Sequence, residues 1–368
     1  MSYKAISLFA GAGGMDVGIE KAGFQVIAAS ELDPHAANTY RHNNPSVKLV
    51  EGDINDPDNF SMITGYSNID LVVGGPPCQG FSVAGKMDKD DPRSQLVFSY
   101  CSVVEKLHPK AFIMENVKSL GSLAKFQDVR EEIFRRMSKS GYQTTMLILN
   151  AKDFGVPQSR ERVFFIGTKQ GLPKVEPTHF DKYRQDAITL REAIGHLGRA
   201  GTELNPNITK AKITLAANPI LRKSPYAGML FNGQGRPLNP DAWSSTLPAS
   251  MGGNRTPIID EDHLYDHKES WVEKHHAELL RGQAKAQYTE APSRLRRLTI
   301  DEAAILQTFP SDYKFLGPQS KIFSQIGNAV PCKLAEVVSK TVFNALSSKK
   351  NIDIPSLPKK GENLELLV

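Results

Sequence analysis

The sequence predicts an α/β fold in which a mostly parallel sheet carries helices on both faces and is joined to a smaller, loop-rich region. Three observations support this prediction. Short apolar runs alternate with helix-like stretches over the first 170 residues, the pattern of parallel strands joined by helices. From about residue 175 to residue 292, glycine, proline, asparagine, serine and threonine are frequent and both periodicities weaken. Helical patterning then returns.

The individual elements follow from local patterns along the chain. Residues 94–107, SQLVFSYCSVVEKL, place Cys101 on the apolar face of a helix, which predicts that its thiol is buried. Thr299 precedes Glu302 by three residues ahead of an apolar run, a capping box that predicts a helix start. Residues 329–346 predict the last helix. The candidate strands are residues 5–9, 26–30, 47–50, 69–73, 111–114, 144–149 and 162–168.

These patterns predict two domains, with the chain returning to the first. Residues 1–174 form the first part of the larger domain, and residues 175–292 form the smaller one. Residues 293–348 return to the larger domain. Residues 349–368 form a polar tail with two prolines, a composition that predicts disorder.

Composition restricts the class of protein. Hydrophobic residues make up 40% and charged residues 23% of the 368 positions, as in soluble globular proteins. No apolar run reaches the length of a membrane span, and the first residues do not resemble a signal peptide. The three cysteines, Cys78, Cys101 and Cys332, are too dispersed for a disulfide framework or a metal site and suit a reducing cytoplasm.

The net charge of +5 is unevenly distributed. Between Asp181 and Arg297, 17 lysines and arginines face 13 aspartates and glutamates. This bias fits a polyanionic partner, but the count alone favours a solvated surface of mixed charge, since only blocks of like charge are strong signals. His263 and His267 have helical spacing without further ligands nearby, so we expect solvated histidines and no metal site.

A glycine-rich turn after the first candidate strand predicts a ligand site. In SLFAGAGGMDVGIEKAGF, residues 7–24, the turn lets a ligand approach the backbone at a helix N-terminus. Asp16 stands where a dinucleotide fingerprint has its third glycine, which disfavours a nicotinamide cofactor. Glu31 follows the second strand and suits ribose hydroxyls, while Asp53 follows the third and suits an adenine amino group. A ligand with adenine and ribose but no pyrophosphate indicates S-adenosylmethionine.

A cysteine on a stiff loop is the second chemical signal. GGPPCQGFS, residues 74–82, places Cys78 after two prolines at the end of the fourth candidate strand. A buried structural cysteine fits such a loop poorly. An exposed, rigidly held thiol beside a cofactor is typical of a catalytic nucleophile.

Six motifs in order identify a family. The chain resembles the DNA (cytosine-5) methyltransferases of bacterial restriction–modification systems over roughly residues 4–346. The motifs are FAGAGG (9–14), GGPPCQGFS (74–82), ENV (115–117), QSRERVFFIG (158–167), RRLTIDEAAILQTFP (296–310) and QIGNAVP (325–331).

The resemblance implies four catalytic residues. The thiolate of Cys78 would add to C6 of cytosine, which makes C5 nucleophilic towards a sulfonium methyl group. Glu115 would donate or share a proton at N3, which requires a raised pKa. Arg162 would hold the cytosine O2. Arg160 would face the DNA phosphates or the loop that carries the cysteine.

The resemblance also implies a Rossmann-like S-adenosylmethionine-dependent methyltransferase fold. Asn328 and Val330 would close the cofactor pocket, so the last helix would pack against the larger domain. The full set of expected cofactor residues is Phe9, Gly11, Gly13, Gly14, Glu31, Asp53, Ile54, Pro76, Leu96, Asn328 and Val330.

Residues 175–292 would form the target-recognition domain, because a cytosine within duplex DNA must be rotated out to reach the site. Residues 243–260, WSSTLPASMGGNRTPIID, resemble the recognition loop. The resemblance further implies a monomer in the bacterial cytoplasm, with duplex DNA as partner and a restriction endonuclease cognate to the same site. The DNA-contact candidates are Ser82, Arg236, Thr246, Leu247 and Arg255, the two arginines suiting guanine edges or phosphates.

Three alternatives remain at this point. A tRNA cytosine-5 methyltransferase has the same core motifs, although a middle region of over 100 residues favours sequence-specific duplex DNA. A non-catalytic binding module would not need Cys78, Glu115 and Arg162. An amino methyltransferase that acts on a base nitrogen has no use for a thiolate.

Overall fold

The computed structural model describes residues 2–77, 95–209 and 211–348. A seven-stranded sheet with strand order β3-β2-β1-β4-β5-β7-β6 forms its centre. All pairs are parallel except those of β7, which runs antiparallel to both β5 and β6. This confirms the mostly parallel sheet and each of the seven candidate strands. The strands are β1 Tyr3–Leu8, β2 Phe24–Glu31, β3 Lys48–Glu51, β4 Leu71–Gly74, β5 Ala111–Val117, β6 Tyr142–Asn150 and β7 Glu161–Lys169.

Helices cover both faces of this sheet, as the sequence predicts. Successive strand residues point to opposite faces, so Ala5 packs in one apolar core and Ile6 in the other. The helices α1, α2 and a later helix, α12, cover the first face, and α3, α4 and α6 cover the second. Their bounds are α1 Gly14–Lys21, α2 Pro34–Asn43, α3 Pro57–Thr64, α4 Leu96–Leu107, α5 Lys118–Ser122, α6 Gln127–Lys139 and α12 Cys332–Ser347.

The predicted burial of Cys101 on α4 is confirmed. Its side chain lies in the core of the second face, and this burial raises the pKa of the thiol to about 12. A thiol with so high a pKa stays protonated at neutral pH and is a poor nucleophile. Cys332, at the start of α12, is also buried, and its thiol pKa is raised for the same reason.

The last helix returns to the sheet through a close contact with α1. A Cβ atom added to Gly18 would lie 2.5 Å from the Cys332 carbonyl oxygen and 2.4 Å from the Glu336 nitrogen. Only glycine therefore lets the two backbones approach so closely. The helix predicted over residues 329–346 is confirmed, although it begins at Cys332, after Pro331.

The chain between β7 and α12 forms two further apolar cores with short elements around them. The capping box at Thr299 and Glu302 is confirmed, because the Thr299 and Glu302 side chains each accept the other residue's backbone N–H. The third core joins residues 190–264 to residues 298–326, so it crosses residue 293. The elements are α7 Leu190–Ile194, β8 Leu215–Ile220, β9 Met229–Phe231, β10 Ile258–Asp260, α8 Glu261–Tyr265, α9 Trp271–Leu280, β11 Leu295–Arg297, α10 Ile300–Leu306 and α11 Gln319–Asn328.

Across the part of the chain that the structure describes, none of the helices combines the length and the apolar character needed to cross a membrane.

Candidate active site

A cavity of about 1510 Å³ lies at the carboxyl ends of β1, β2, β4 and β5. Residues 246–250 and 327–330 also line it. Gly13 and Arg236, both within the described residues, lie outside this lining, and Cys78 and Ser82 fall outside the described residues. The predicted site residues that line the cavity are Phe9, Gly11, Gly14, Glu31, Asp53, Ile54, Pro76, Leu96, Glu115, Arg160, Arg162, Thr246, Leu247, Arg255, Asn328 and Val330.

The glycine-rich turn after β1 adopts left-handed backbone conformations. Gly11 has φ +57° and Gly13 has φ +88°, values that glycine tolerates best. Gly13 is also the residue that caps α1, and a Cβ atom there would lie 2.6 Å from the Tyr313 hydroxyl. Gly11 and Gly14 line the cavity, whereas Gly13 lies against Tyr313 and gives the turn its backbone conformation.

The Asp16 side chain holds the start of α1 against β1 and α2, a role that the sequence did not reveal. Its carboxylate is fully buried and accepts hydrogen bonds from the Ser7 hydroxyl at 2.6 Å and the Tyr40 hydroxyl at 2.6 Å. Burial raises the pKa of Asp16 to about 7, although both hydroxyl bonds oppose the rise. The residue that replaces the third fingerprint glycine therefore connects α1 to β1 and α2.

Glu31 is the last residue of β2 and faces the cavity. Its two carboxylate oxygens accept the backbone N–H groups of Gly11 at 2.7 Å and Asp33 at 2.8 Å. Burial raises the pKa of this carboxyl, and the backbone hydrogen bonds partly offset that rise. The next residue, Leu32, also lines the cavity and is 62% exposed. Sequence reasoning did not include Leu32 among the cavity residues.

The remaining predicted cofactor residues surround Glu31. Asp53 is exposed at the edge of the cavity, and its carboxylate accepts the Asn55 backbone N–H at 2.9 Å. Ile54 is buried, and Leu96, at the start of α4, faces the same space. This end of the cavity therefore combines apolar side chains with carboxylates at successive strand ends.

A buried ion pair lies at the other end of the cavity. The Glu115 carboxylate on β5 is 2.8 Å from the Arg162 Nε atom on β7, and both side chains are largely buried. Burial raises the pKa of Glu115, and the neighbouring cations of Arg162 and Arg160 only partly oppose that rise. The pair therefore combines a carboxyl that protonates more easily than usual with a fixed cation.

The backbone before Cys78 is held next to this pair. The Asn116 side chain, also buried, donates a hydrogen bond to the Pro76 carbonyl oxygen at 3.1 Å. A Cβ atom on Gly75 would lie 3.0 Å from the Glu115 carboxylate, so glycine permits the close approach. Sequence reasoning assigned no role to Asn116, although it lies within the ENV motif.

Arg160, predicted to face the DNA phosphates or the loop that carries Cys78, is bonded to main-chain carbonyls in the described part of the chain. Its side chain is 2% exposed. Its guanidinium donates to the main-chain carbonyls of Leu247 at 3.1 Å and Gly327 at 2.9 Å. These bonds hold the guanidinium against two main-chain segments that also line the cavity. The alternative contact, with the loop that carries Cys78, concerns residues outside the described ones.

The DNA-contact candidates divide into two groups. Thr246 and Arg255 are exposed and line the cavity, and Arg236 is exposed away from it. Leu247 is fully buried in the third core, which contradicts a DNA contact through its side chain. Its apolar side chain is more stable in this core than in water.

The fold and the site define an α/β protein that binds a nucleotide-like ligand at the carboxyl ends of its parallel strands. A family model described as C-5 cytosine-specific DNA methylase matches residues 3–344. The chain belongs to this family of DNA (cytosine-5) methyltransferases. The family resemblance that the motifs indicated is confirmed.

Relatives of known type agree with this assignment. The Type II methyltransferase M1.HphI of Haemophilus parahaemolyticus is 35% identical over 350 residues, which cover 93% of this chain and 87% of the relative. M.NgoPII of Neisseria gonorrhoeae is 34% identical over 354 residues and 93% and 96% of the two chains. The enzyme is therefore a cytosine-5 DNA methyltransferase of the type II restriction–modification kind, with S-adenosylmethionine as its cofactor.

Solved structures share the fold. A prophage-encoded E. coli protein named as a DNA modification methyltransferase has a TM-score of 0.67 at 25% identity and covers 94% of this chain and 100% of its own. Dnmt2 of S. pombe has a TM-score of 0.64 at 16% identity, with coverage of 94% and 100%, and shows the fold alone.

Proposed function

We propose that this enzyme methylates C5 of a cytosine rotated out of a specific duplex DNA sequence, through a covalent bond between Cys78 and C6. The observation that carries the proposal is the buried Glu115–Arg162 pair, which shares one cavity with the glycine-rich turn and Glu31. A proton donor, a fixed cation and a cofactor pocket in one cavity match the requirements of methyl transfer to carbon.

The cofactor end of the cavity suits S-adenosylmethionine. Glu31 offers carboxylate oxygens to ribose hydroxyls, and Asp53 offers an acceptor to the adenine amino group. Ile54 and Leu96 provide apolar contacts for the adenine ring. When bound, the cofactor supplies a methyl group on a sulfonium, an electrophile that needs a carbon nucleophile. Asn328 and Val330 complete the pocket beside the glycine-rich turn.

The protein must make cytosine C5 nucleophilic. In the proposed step, the Cys78 thiolate forms a bond to C6, and the displaced electron pair develops at N3 and O2. Glu115 donates a proton to N3, which its raised pKa favours, and Arg162 stabilises the charge at O2. C5 would then take the methyl group and lose its proton to a base. The electron pair of that C–H bond reforms the double bond between C5 and C6 and expels the Cys78 thiolate, while N3 returns its proton to Glu115.

Access to the cavity requires base rotation, because the reacting carbon atoms are stacked within a duplex. Residues 175–292 act as the target-recognition domain, with residues 1–174 and 293–348 as the catalytic domain. Exposed Thr246 and Arg255 at the cavity support this role. We infer a monomer that acts on DNA in the bacterial cytoplasm and at the nucleoid, with a restriction endonuclease that cuts the same site.

Methyl transfer tests the substrate. Incubation with labelled S-adenosylmethionine and either plasmid DNA or tRNA should label the DNA alone. Bisulfite sequencing of plasmid from expressing cells should then show methylation at one defined sequence. Label in tRNA instead of DNA would contradict the proposed substrate.

A mechanism-based trap tests the covalent step. DNA with 5-fluorocytosine at the target should be attacked and methylated, but fluorine cannot leave C5 as a cation. The enzyme should therefore stay bound to the DNA through boiling in detergent, in a complex that requires S-adenosylmethionine.

The cysteines provide matched controls for the trap. Cys78→Ser should lose turnover and the trapped complex, because a serine alkoxide forms far less readily than a thiolate. Cys101→Ser should keep both, because Cys101 is buried on α4 away from the cavity. An adduct that peptide mapping places on a residue other than Cys78 would refute the mechanism.

A further inference from the structure

Residues 244–247, here called the recognition segment, lie along residues 157–160, here called the docking segment. The docking segment leads directly into β7, whose second residue is Arg162. The recognition segment ends beside the cavity, where Thr246 is exposed. Three of the hydrogen bonds between the segments run from Ser244 N to Pro157 O at 2.9 Å, from Ser159 N to Ser244 O at 2.8 Å, and from Thr246 Oγ1 to Ser159 O at 2.8 Å.

Gln158 connects the recognition segment to the protein interior. Its side chain is fully buried, and its carbonyl oxygen accepts the Leu247 backbone N–H at 3.0 Å. Its amide nitrogen donates to the Leu306 carbonyl oxygen at 3.2 Å and to the Gln307 side-chain oxygen at 3.1 Å. Loss of this side chain would leave buried polar groups of the recognition segment and of α10 without partners, which is costly.

Arg160 holds the other backbone polar group of Leu247, its carbonyl oxygen. Its guanidinium donates to the Leu247 carbonyl oxygen at 3.1 Å. Both backbone polar groups of Leu247 are therefore held by side chains of the docking segment, and the Leu247 side chain is buried in the third core. A shift by one residue would break these bonds and expose Leu247, so the register of the two segments is strongly specified.

The chain that follows the recognition segment is held equally closely. A Cβ atom on Gly327 would lie 2.5 Å from the Pro248 carbonyl oxygen, so two backbones are in direct contact here. Gln307 donates to the Ile326 carbonyl oxygen at 2.7 Å and so fixes the end of α11. The chain that follows the recognition segment thus has a defined position relative to the end of α11.

We propose that Gln158 and Arg160 are positioning residues that set the recognition segment in register with Arg162 and Glu115, and that neither contacts DNA. This inference rests on the proposed function. A base reader on the recognition segment can align a rotated cytosine with Arg162 only if the distance between them is fixed. The docking segment fixes that distance, because it is hydrogen-bonded to the recognition segment and continues directly into the strand that carries Arg162.

Gln158→Leu in the full chain tests the proposal. We expect kcat on plasmid DNA to fall roughly 10- to 100-fold, because small errors of alignment strongly reduce catalysis. The KM for that DNA and the affinity for S-adenosylhomocysteine should change less than about threefold, since other residues make those contacts. Calorimetric titration with S-adenosylhomocysteine counts the folded sites, so that kcat is expressed for each competent molecule.

Two further variants separate positioning from general destabilisation. Gln143→Leu makes the same substitution on β6, where the amide donates to the Thr168 hydroxyl at 3.3 Å, and it should keep kcat. Arg160→Lys preserves the charge but not the two-pronged donor, so its kcat should lie between those of the wild type and Gln158→Leu. It also provides the test if Gln158→Leu fails to fold.

The possible outcomes are distinct. If kcat for each competent site is unchanged in Gln158→Leu and Arg160→Lys, the positioning role is refuted. A parallel loss of S-adenosylhomocysteine affinity would also refute it, since that loss indicates general disruption. Absence of DNA methylation by the wild-type enzyme would instead refute the proposed function.

Discussion

The two walls of the cavity are built differently. The cofactor wall consists of residues at the ends of β1, β2 and β3 and in the turns that follow them. The recognition wall, residues 246–255, consists of loop. Glu31 on the first wall faces the cavity as its position at a strand end predicts, whereas Leu247 on the second is buried instead of facing DNA. A parallel sheet directs its strand ends to one edge, but a loop residue is directed only by its contacts.

The buried carboxylates at the two ends of the cavity differ in the same way. Glu31 is held by the backbone N–H groups of its own turn and of the turn after β1. Glu115 is held by Arg162, a side chain on another strand. Burial raises both pKa values, yet only Glu115 has a cation to balance its charge. The arrangement around Glu31 suits hydrogen bonds from ligand hydroxyls, and the arrangement around Glu115 suits proton exchange with a nucleobase.

The largest effect should come from the catalytic pair. Glu115→Gln removes the proton for N3, so kcat should fall by roughly 10²–10⁴-fold, the range for general acid catalysis. The affinity for S-adenosylhomocysteine should stay within about threefold, because the cofactor wall does not depend on this carboxylate. Rapid-quench methylation assays and calorimetry measure the two quantities.

Glu161→Gln is the matched control for this variant. Glu161 adjoins Arg162 but pairs with Lys118 in an exposed ion pair, which contributes little. A loss of kcat in Glu161→Gln as large as in Glu115→Gln would contradict the assignment of the proton donor.

The next effect should come from the cofactor wall. Glu31→Ala removes charge-assisted hydrogen bonds, so the affinity for S-adenosylmethionine should weaken by about 1.5–3 kcal/mol while the protein stays folded. Glu51→Ala is the control, because Glu51 pairs in register with Glu31 at the end of β3 but contacts exposed Arg41. Equal calorimetric affinities for the two variants would refute the ribose assignment.

Among the substitutions, Arg255→Ala in the recognition wall should have the smallest effect. The baseline for it is the wild-type affinity for DNA, which should fall steeply as salt rises because cations are released from phosphates. Arg255→Ala should flatten the salt dependence by about one ion if Arg255 binds a phosphate, or relax sequence choice at one position if it reads a base. Fluorescence anisotropy on matched and mismatched duplexes distinguishes the two outcomes.

Arg281→Ala provides the comparison for this variant, because Arg281 is exposed at the end of α9. An Arg255→Ala enzyme with the same salt dependence and sequence choice as Arg281→Ala would remove Arg255 from the DNA interface.

Local sequence patterns predicted the seven strands and the helices around them, and they put Glu31 and Asp53 at the ends of neighbouring strands. Periodicity and capping are local, and the ends of parallel strands meet at one edge, so Glu31 and Asp53 could be placed without contacts. Motif order alone indicated Cys78, Glu115 and Arg162, and the structure adds that the last two form a buried pair.

Other features of the molecule depend on contacts that no local pattern indicates. The antiparallel direction of β7 leaves no local signal, because its run of buried residues reads the same in either direction. The burial of Arg160 depends on a bond to Leu247, which lies 87 residues away in the chain. Asp16 became an anchor through Tyr40, on a different helix. Such contacts join segments that are distant in sequence, so a pattern confined to one segment cannot specify them.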